Sequence, residues 1–178
     1  MGAKVFPGRF TAGTDEPFVV FIVGMRFNKL LSPKWLAGVK AFDKMYRELQ
    51  ADPALGFLGA EKILYWRGAG QLQYWRSVED LERFARGTEG AHVPAWRHYN
   101  QIVRTSGTVG VWHETYLVGP GRAEAIYANM PRFGMGKVLD HVPATGHRET
   151  ARRRLGGQNE PAVESPPQPV AEKVRDRA

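Results

Sequence analysis

The order of the predicted elements, strand, helix, strand, strand, helix, strand, indicates an α+β protein with a ferredoxin-like split βαβ fold and an antiparallel sheet. The length of 178 residues suits one domain, and nine Phe, six Tyr and five Trp residues supply a substantial core. In this fold the helices cover one face of the sheet. We expect a second subunit to cover the other face, so that a homodimer closes into a dimeric α+β barrel around a cavity.

The first strand and the first helix have the clearest patterns. Residues 18–27 are β-branched or aromatic and apolar on both faces, which is typical of a buried central strand. Ser32 and Pro33 then provide a cap residue and a proline at the first position of a helix that extends to Gln50. Apolar residues recur along this helix on one face: Leu36, Val39, Phe42, Met45, Tyr46 and Leu49.

A hairpin, a second helical region and a final strand follow. The strand-like segments 57–66 and 71–76 are separated by the Gly-rich residues 67–70, which suit a turn. Ser77, with Asp80 three residues later, resembles a capping box and opens a helix that ends at Arg86. After a Gly-bearing break the sequence predicts a further helical stretch over 93–103 and a last strand over 109–118.

The chain divides into a central domain and two flanking segments. We assign residues 1–17 to an N-terminal extension, 18–142 to the ferredoxin-like domain, and 143–178 to a low-order, largely disordered C-terminal tail. From Glu160 onwards the tail contains four Pro and no aromatic residue. Such a segment buries too little apolar surface to offset the entropy of ordering it.

Composition argues against several classes of protein. The absence of Cys excludes disulfides, thiolate metal sites and cysteine nucleophiles, and no metal site is predicted. The longest apolar run, 18–25, is far shorter than the roughly 20 residues of a membrane-spanning helix. The net charge of +7 is spread among acidic residues and forms no basic stripe, which argues against a nucleic-acid partner. We expect a cytoplasmic protein with no membrane contact.

His113 is the first candidate for chemistry. Alternation along the last strand puts His113 on one face with Val111 and Thr115, and Trp112 on the opposite face. A histidine among apolar neighbours is either a hydrogen-bonded core residue or a group that does chemistry, as a general base, a proton donor to bound oxygen or an axial ligand. The sequence alone leaves these alternatives open.

A second group of candidates lies in the helical stretch before this strand. His92, Trp96 and Asn100 share one helix face and could line a pocket beside the sheet. The alternative is that His92 caps the helix and that Trp96 belongs to the core.

Six sequence blocks taken together resemble one family. They are residues 7–11 (PGRFT), 23–28 (VGMRFN), 56–59 (GFLG), 73–77 (QYWRS), 95–97 (AWR) and 111–116 (VWHETY). Their combination resembles the fumagillin-pathway monooxygenase-like family, a branch of the antibiotic-biosynthesis-type monooxygenases within the dimeric α+β barrel superfamily. The resemblance extends from Val5 to Gly136 and leaves out the C-terminal tail.

The resemblance implies an oxidoreductase of secondary metabolism that oxidises a small or medium apolar metabolite. We expect His113 and Arg76 to be catalytic, with His113 moving a proton and Arg76 pairing with a developing enolate or phenolate. We expect the substrate to be bound by four further residues: Trp112, Trp96, Asn100 and Tyr74.

Three hypotheses for the function follow. The first is a monooxygenase that works without a cofactor. The second is a haem enzyme of the same fold, either aldoxime dehydratase-like or using haem-dependent oxygen chemistry, with His92 or His113 as the axial ligand. The third is a non-catalytic module whose cavity binds a small apolar organic ligand.

Overall fold

A computed structural model describes residues 2–87, 93–94, 97, 101 and 107–157 of the chain. The strands and α-helices in this part of the chain follow one another in this order: β1 (Phe6–Gly13), β2 (Phe18–Phe27), α1 (Lys34–Ala51), β3 (Phe57–Tyr65), β4 (Gly68–Trp75), α2 (Val78–Arg86), β5 (Val109–Val118), β6 (Tyr127–Met130), α3 (Met135–Val138), β7 (Asp140–Pro143) and α4 (Ala151–Arg154).

The main sheet has four strands in the order β3-β4-β2-β5, and each neighbouring pair is antiparallel. Helix α1 connects β2 to β3, and α2 follows β4. Both helices pack on the same face of the sheet, because Phe42 of α1 contacts Val23 and Met25, while Leu81 and Phe84 of α2 join a cluster with Val19 and Trp75. The ferredoxin-like α+β fold predicted from the element order is confirmed.

Most predicted elements have the expected bounds. Strands β2 and β5 span the predicted residues. Helix α1 begins at Lys34 with Pro33 at the N-cap position and no side-chain cap, so the prediction of Ser32 as the cap residue is wrong. Ser77 caps α2 as predicted, since its hydroxyl accepts a hydrogen bond from the Asp80 backbone N–H at 3.2 Å. Most of the helical stretch predicted over 93–103 lies outside the described residues.

The turn between β3 and β4 is shorter than predicted. Trp66 and Arg67 form it, and β4 already begins at Gly68, so the prediction of a turn over 67–70 is wrong. The glycines serve a different purpose. A Cβ atom on Gly68 would lie 2.5 Å from the Met25 carbonyl oxygen, and one on Gly70 would lie 2.6 Å from that of Val23. Glycine here permits the close approach of β2.

A second sheet, with strand order β6-β1-β7, is absent from the sequence-based prediction. Strand β1 lies in the segment assigned to the N-terminal extension, and α4 lies in the first part of the predicted tail. Arg154 of α4 is anchored by an ion pair to Glu124 at 2.7 Å. Strands of four residues and a strand containing Pro7 and Gly8 carry little periodic signal, which explains why the sequence pattern does not reveal this sheet.

The second sheet region covers part of the main sheet's outer face, the face away from α1 and α2. Val138 of α3 packs so closely on Gly59 that a Cβ there would lie 2.5 Å from a Val138 methyl group. Lys137 forms an ion pair with Glu61 at 3.3 Å. The chain itself therefore covers the β3 side of this face. Sequence analysis predicted that a second subunit covers the whole face, and for the β3 side this prediction is wrong. On β5, by contrast, Tyr116 remains 49% exposed.

An aromatic bridge crosses the outer face above Gly24. The Trp112 indole N–H donates to the Tyr65 hydroxyl at 2.7 Å, and that hydroxyl donates to the Met25 carbonyl oxygen at 2.6 Å. A Cβ atom on Gly24 would lie 2.8 Å from the Tyr65 hydroxyl oxygen. Glycine at position 24 therefore lets side chains of β3 and β5, which β4 and β2 separate in the sheet, meet above β2.

Candidate functional site

A cavity of about 460 Å³ lies between the main sheet and helices α1 and α2. Its volume falls in the range of roughly 300 to 1,000 Å³ that is typical of small-molecule sites. The walls are mostly apolar and include Phe21, Phe42, Met45, Phe84 and Val111. We call it the His113 cavity, after the histidine in its wall.

His113 enters this cavity because β5 alternates its side chains between two faces. It pairs with Val23 across the β2–β5 ladder, and the cavity wall includes Val111 and Thr115 on either side of it. Its imidazole lies 5.5 Å from the Phe21 ring, measured between centroids. The side chain is exposed, so a ligand and solvent both have access to the ring nitrogens. An accessible imidazole at an apolar cavity is suited to taking or giving a proton.

Two polar features accompany His113 in the cavity wall. Gln73 of β4 is 1% exposed, and its amide is held between the Trp75 indole and Gln71. On α2, Glu82 and Arg86 form an ion pair at 3.0 Å, with both side chains well exposed. Sequence analysis did not single out Gln73. The available signal was the alternation Gln71, Gln73, Trp75, which puts two amides on the helix-facing side of a buried strand.

Arg76 lies outside the His113 cavity. It follows the end of β4, and its guanidinium binds the carboxylate of Asp80 at 2.7 Å. Arg83 binds the other oxygen of this carboxylate at 2.6 Å. Asp80 itself is buried, and its ion pair with Arg76 ties the end of β4 to α2, while the pair with Arg83 lies within α2. The structure does not bring Arg76 and His113 together, and the arginine's charge is already matched by Asp80.

Replacing Asp80 with asparagine is expected to lower the free energy of unfolding by about 2 kcal/mol, because the amide offers the two arginines one acceptor oxygen in place of two and carries no negative charge. The hydrogen bond from Arg76, with a further one from Arg83, lowers the pKa of Asp80 below its ordinary value of 3.8. A depressed pKa stabilises the fold above pH 3.8, and this contribution is lost as the pH falls below that value.

Thermal unfolding of the wild type and of Asp80→Asn, measured between neutral pH and pH 3, checks both effects. The difference between the two proteins should shrink towards the acidic end. A constant difference across this range would show that the Asp80 carboxylate does not carry the stabilisation.

Tyr74 and Trp112 lie on the outer face of the main sheet, away from His113. The Tyr74 hydroxyl is hydrogen-bonded to the Met135 backbone, and burial raises the pKa of Tyr74 to about 12, with Tyr127 and Glu61 adding to the increase. Tyr74 is therefore neutral at physiological pH and anchors α3 to the sheet. Trp112 belongs to the aromatic bridge. Neither side chain is part of the His113 cavity wall.

The three remaining predicted site residues, His92, Trp96 and Asn100, lie outside the described residues. Among the described residues no group of three or more His, Asp or Glu side chains could hold a metal ion. No helix in the described part of the chain is long and apolar enough to cross a membrane.

Residues 18–135, which carry the main sheet, α1, α2 and the start of α3, match the monooxygenase af470-like family. The chain belongs to this family. Membership of the monooxygenase af470-like family confirms the predicted monooxygenase-like fold, and the match ends before β7 and α4. Among curated proteins, none has a matching sequence.

Solved structures with a similar fold include two aldoxime dehydratases. One, in complex with butyraldoxime, has a TM-score of 0.61 and 14% identity, and the match covers 78% of this chain and 42% of that chain. The other has a TM-score of 0.58 and 16% identity, with 80% and 45% covered. This member of the monooxygenase af470-like family thus spans less than half the length of these dehydratases. A putative antibiotic biosynthesis monooxygenase from Nitrosomonas europaea matches at a TM-score of 0.40 and 8% identity, covering 60% and 91%.

Proposed function

We propose that this protein is a monooxygenase that oxidises a small or medium apolar metabolite in the His113 cavity without a cofactor. One observation carries the proposal, namely the accessible imidazole of His113 in the wall of an otherwise largely apolar cavity of about 460 Å³. Membership of a monooxygenase family supports the reaction class. We also propose that the protein is related to the fumagillin-pathway monooxygenases and acts in secondary metabolism.

The reaction requires a substrate that supplies its own electrons. An acidic CH₂ group next to a carbonyl or an electron-rich ring loses a proton to the His113 imidazole, and the resulting carbanion reacts with dioxygen. One oxygen atom replaces the two hydrogens as a carbonyl group, and the other leaves as water. Phe21, Phe42 and Phe84 hold the apolar body of the substrate.

Gln73 is the candidate donor for the negative oxygen that forms when the substrate is an enolisable ketone. One N–H of its amide binds Gln71 at 2.7 Å, so the second N–H of the same nitrogen remains for a ligand. Preorganised donors stabilise developing charge most effectively where water is excluded. In the cavity, Gln73 takes the role that sequence analysis gave to Arg76.

Oxygen consumption tests the proposal. The purified protein is mixed with electron-rich aromatic compounds and enolisable ketones, and oxygen uptake is compared with the formation of oxidised product. Uptake matched by product, at one dioxygen per product molecule, supports a monooxygenase. Tight binding of a compound with no uptake would contradict it and indicate a non-catalytic ligand-binding module.

A haem enzyme is the second candidate, because the fold is similar to that of an aldoxime dehydratase solved with butyraldoxime. The described residues fit such a group in kind, since His113 offers an imidazole donor and the walls are aromatic and aliphatic, while Arg86 is already paired with Glu82. Haem would supply iron for aldoxime dehydration or oxygen chemistry. A Soret band that titrates to one haem per subunit, and is lost in His113→Ala, favours this candidate.

We further propose that the protein is a homodimer in the cytoplasm, with the β2–β5 side of the outer face at the interface. Among the described residues, Tyr116 on this side of the main sheet is 49% exposed. Replacing Tyr116 with arginine should raise the dimer dissociation constant at least about tenfold, as expected for a central interface aromatic. Its hydrogen-bond partner Glu114 would then face a cation, which favours retention of the fold.

Light scattering over a range of protein concentrations measures this dissociation constant. Leu31→Arg is the matched control, because Leu31 is 101% exposed on the loop between β2 and α1. Equal dissociation constants for Tyr116→Arg and the wild type would place the interface elsewhere.

A further inference from the structure

A second cavity, of about 330 Å³, lies on the helix-facing side of the main sheet, between α1 and the strands β3 and β4. We call it the edge cavity. Val39 and Leu64 line it and are 39% and 88% exposed, so apolar side chains stand where the cavity meets solvent. Ala69, a small residue on β4, leaves space opposite α1. Phe42 lines both the edge cavity and the His113 cavity.

A buried amide forms part of the edge cavity wall. Gln71 is 4% exposed, and the orientation of its side chain follows from a relay along β4. The Trp75 indole N–H, which can only donate, binds the Gln73 carbonyl oxygen at 2.9 Å. The Gln73 amide nitrogen therefore donates to the Gln71 carbonyl oxygen, at 2.7 Å. The Gln71 amide nitrogen therefore points away from Gln73, and no described residue accepts a hydrogen bond from it.

The Gln71 amide nitrogen is not one of the buried side-chain atoms that lack a partner in the described part of the chain, so it is open to the cavity that Gln71 lines. Water in the cavity accepts its hydrogen bond when no ligand is present. A ligand oxygen in the edge cavity would replace that water. The apolar side chains of Met25, Val39 and Phe42 would contact the rest of the ligand.

The charges around the edge cavity favour a neutral ligand. Lys62 is paired with Asp43 at 3.4 Å and also lies over the Tyr46 ring. Asp43 is bound by Arg47 as well, at 2.6 Å. Lys40 is an exposed residue on α1, where its ammonium can remain hydrated. A carboxylate at Gln71 would be bound there by an uncharged amide, while Lys62 is already paired with Asp43.

We propose that the edge cavity is a second binding site, which takes a small apolar molecule whose neutral carbonyl oxygen accepts a hydrogen bond from the Gln71 amide. The site does not depend on the proposed oxygenase activity, because His113 is not part of it. Phe42 is the residue that lines both cavities. Shared contact with Phe42 and the bond between Gln71 and Gln73 place the two sites next to each other.

The test compares three probes of similar size on the full chain: acetophenone, ethylbenzene, which lacks the carbonyl, and benzoate, which is charged. Dissociation constants come from NMR titrations that follow the side-chain amide signals of Gln71. We expect acetophenone to bind about three- to tenfold more tightly than ethylbenzene, the value of one net hydrogen bond, and benzoate to bind more weakly than acetophenone. Tighter binding of benzoate would overturn the assignment of a neutral ligand.

Substitutions then locate the site. Gln71→Leu keeps the volume and removes the donor, so acetophenone should lose its advantage over ethylbenzene. Ala69→Phe fills the edge cavity and should abolish the binding of both probes, whereas Val111→Trp fills the His113 cavity and should leave their binding unchanged. The opposite result for the two filling variants would overturn the proposal, as would an undiminished advantage of acetophenone in Gln71→Leu.

A surface variant keeps the test valid if a buried variant fails to fold. Leu64→Asp puts a charge beside the apolar mouth at a position that is 88% exposed, and it should weaken both neutral probes at least about fivefold. Unchanged binding would contradict the site. His113→Ala should leave acetophenone binding intact, which separates a failure of this proposal from a failure of the oxygenase proposal.

Discussion

Replacing His113 with alanine is expected to lower the rate of substrate oxidation by about 100- to 10,000-fold, the usual contribution of a general base. Among the described residues that line the His113 cavity on its sheet side, His113 is the ionisable one. On the helix side, Glu82 and Arg86 are paired with each other. Removing the imidazole leaves the cavity walls in place. We therefore expect the substrate dissociation constant to change much less than the rate.

The measurement is oxygen uptake with a substrate identified by screening, together with the binding constant of the same compound. His147→Ala is the control, because His147 is exposed in the 3₁₀ helix Gly146–Arg148, within the region of the second sheet. An unchanged oxidation rate in His113→Ala would remove the histidine from the mechanism. A rate that falls equally in both variants would point to a loss of folded protein.

Replacing Trp75 with alanine is expected to lower the free energy of unfolding by about 3 to 5 kcal/mol, the usual cost of truncating a buried aromatic residue. Trp75 is 0% exposed and contacts Phe57 and Phe84 at centroid distances of 5.4 and 5.7 Å. The substitution also removes the donor that orients Gln73. Core packing and the amide relay are therefore lost together.

Trp66→Ala is the matched control, since Trp66 is 82% exposed in the turn after β3. Denaturant unfolding should give a change within about 0.5 kcal/mol for this variant. Trp75→Phe separates the two contributions, because it keeps most of the ring contacts and loses the hydrogen bond. If Trp75→Ala and Trp66→Ala destabilise equally, the core does not depend on Trp75 as described.

The main sheet could be predicted because its segments satisfy strong local rules. Strand β2 is apolar on both faces up to Met25, α1 repeats its apolar residues at helical spacing, and Ser77 caps α2 with its own hydroxyl. The second sheet could not be predicted, because β6 and β7 have four residues each and owe their conformation to pairing with β1. Distant pairing of this kind leaves no local pattern.

The candidate site was predictable to the extent that strand alternation determines it. Alternation correctly separated His113 from Trp112, because successive side chains of β5 point to opposite faces. It could not reveal that Asp80 binds Arg76, a contact that depends on how α2 packs against the end of β4. Nor could it show that Tyr74 lies beneath α3, because α3 belongs to the region that the local patterns did not predict.

The position of Phe42 has a consequence for how the substrate range of such a protein evolves. The Phe42 side chain contributes to the walls of two cavities, of about 460 and 330 Å³. A smaller residue at this one position would enlarge both cavities, while His113 and the strands that hold it stay in place. Descendants of this scaffold could therefore accept larger molecules before any change in the chemistry, and return to smaller ones by restoring one aromatic ring.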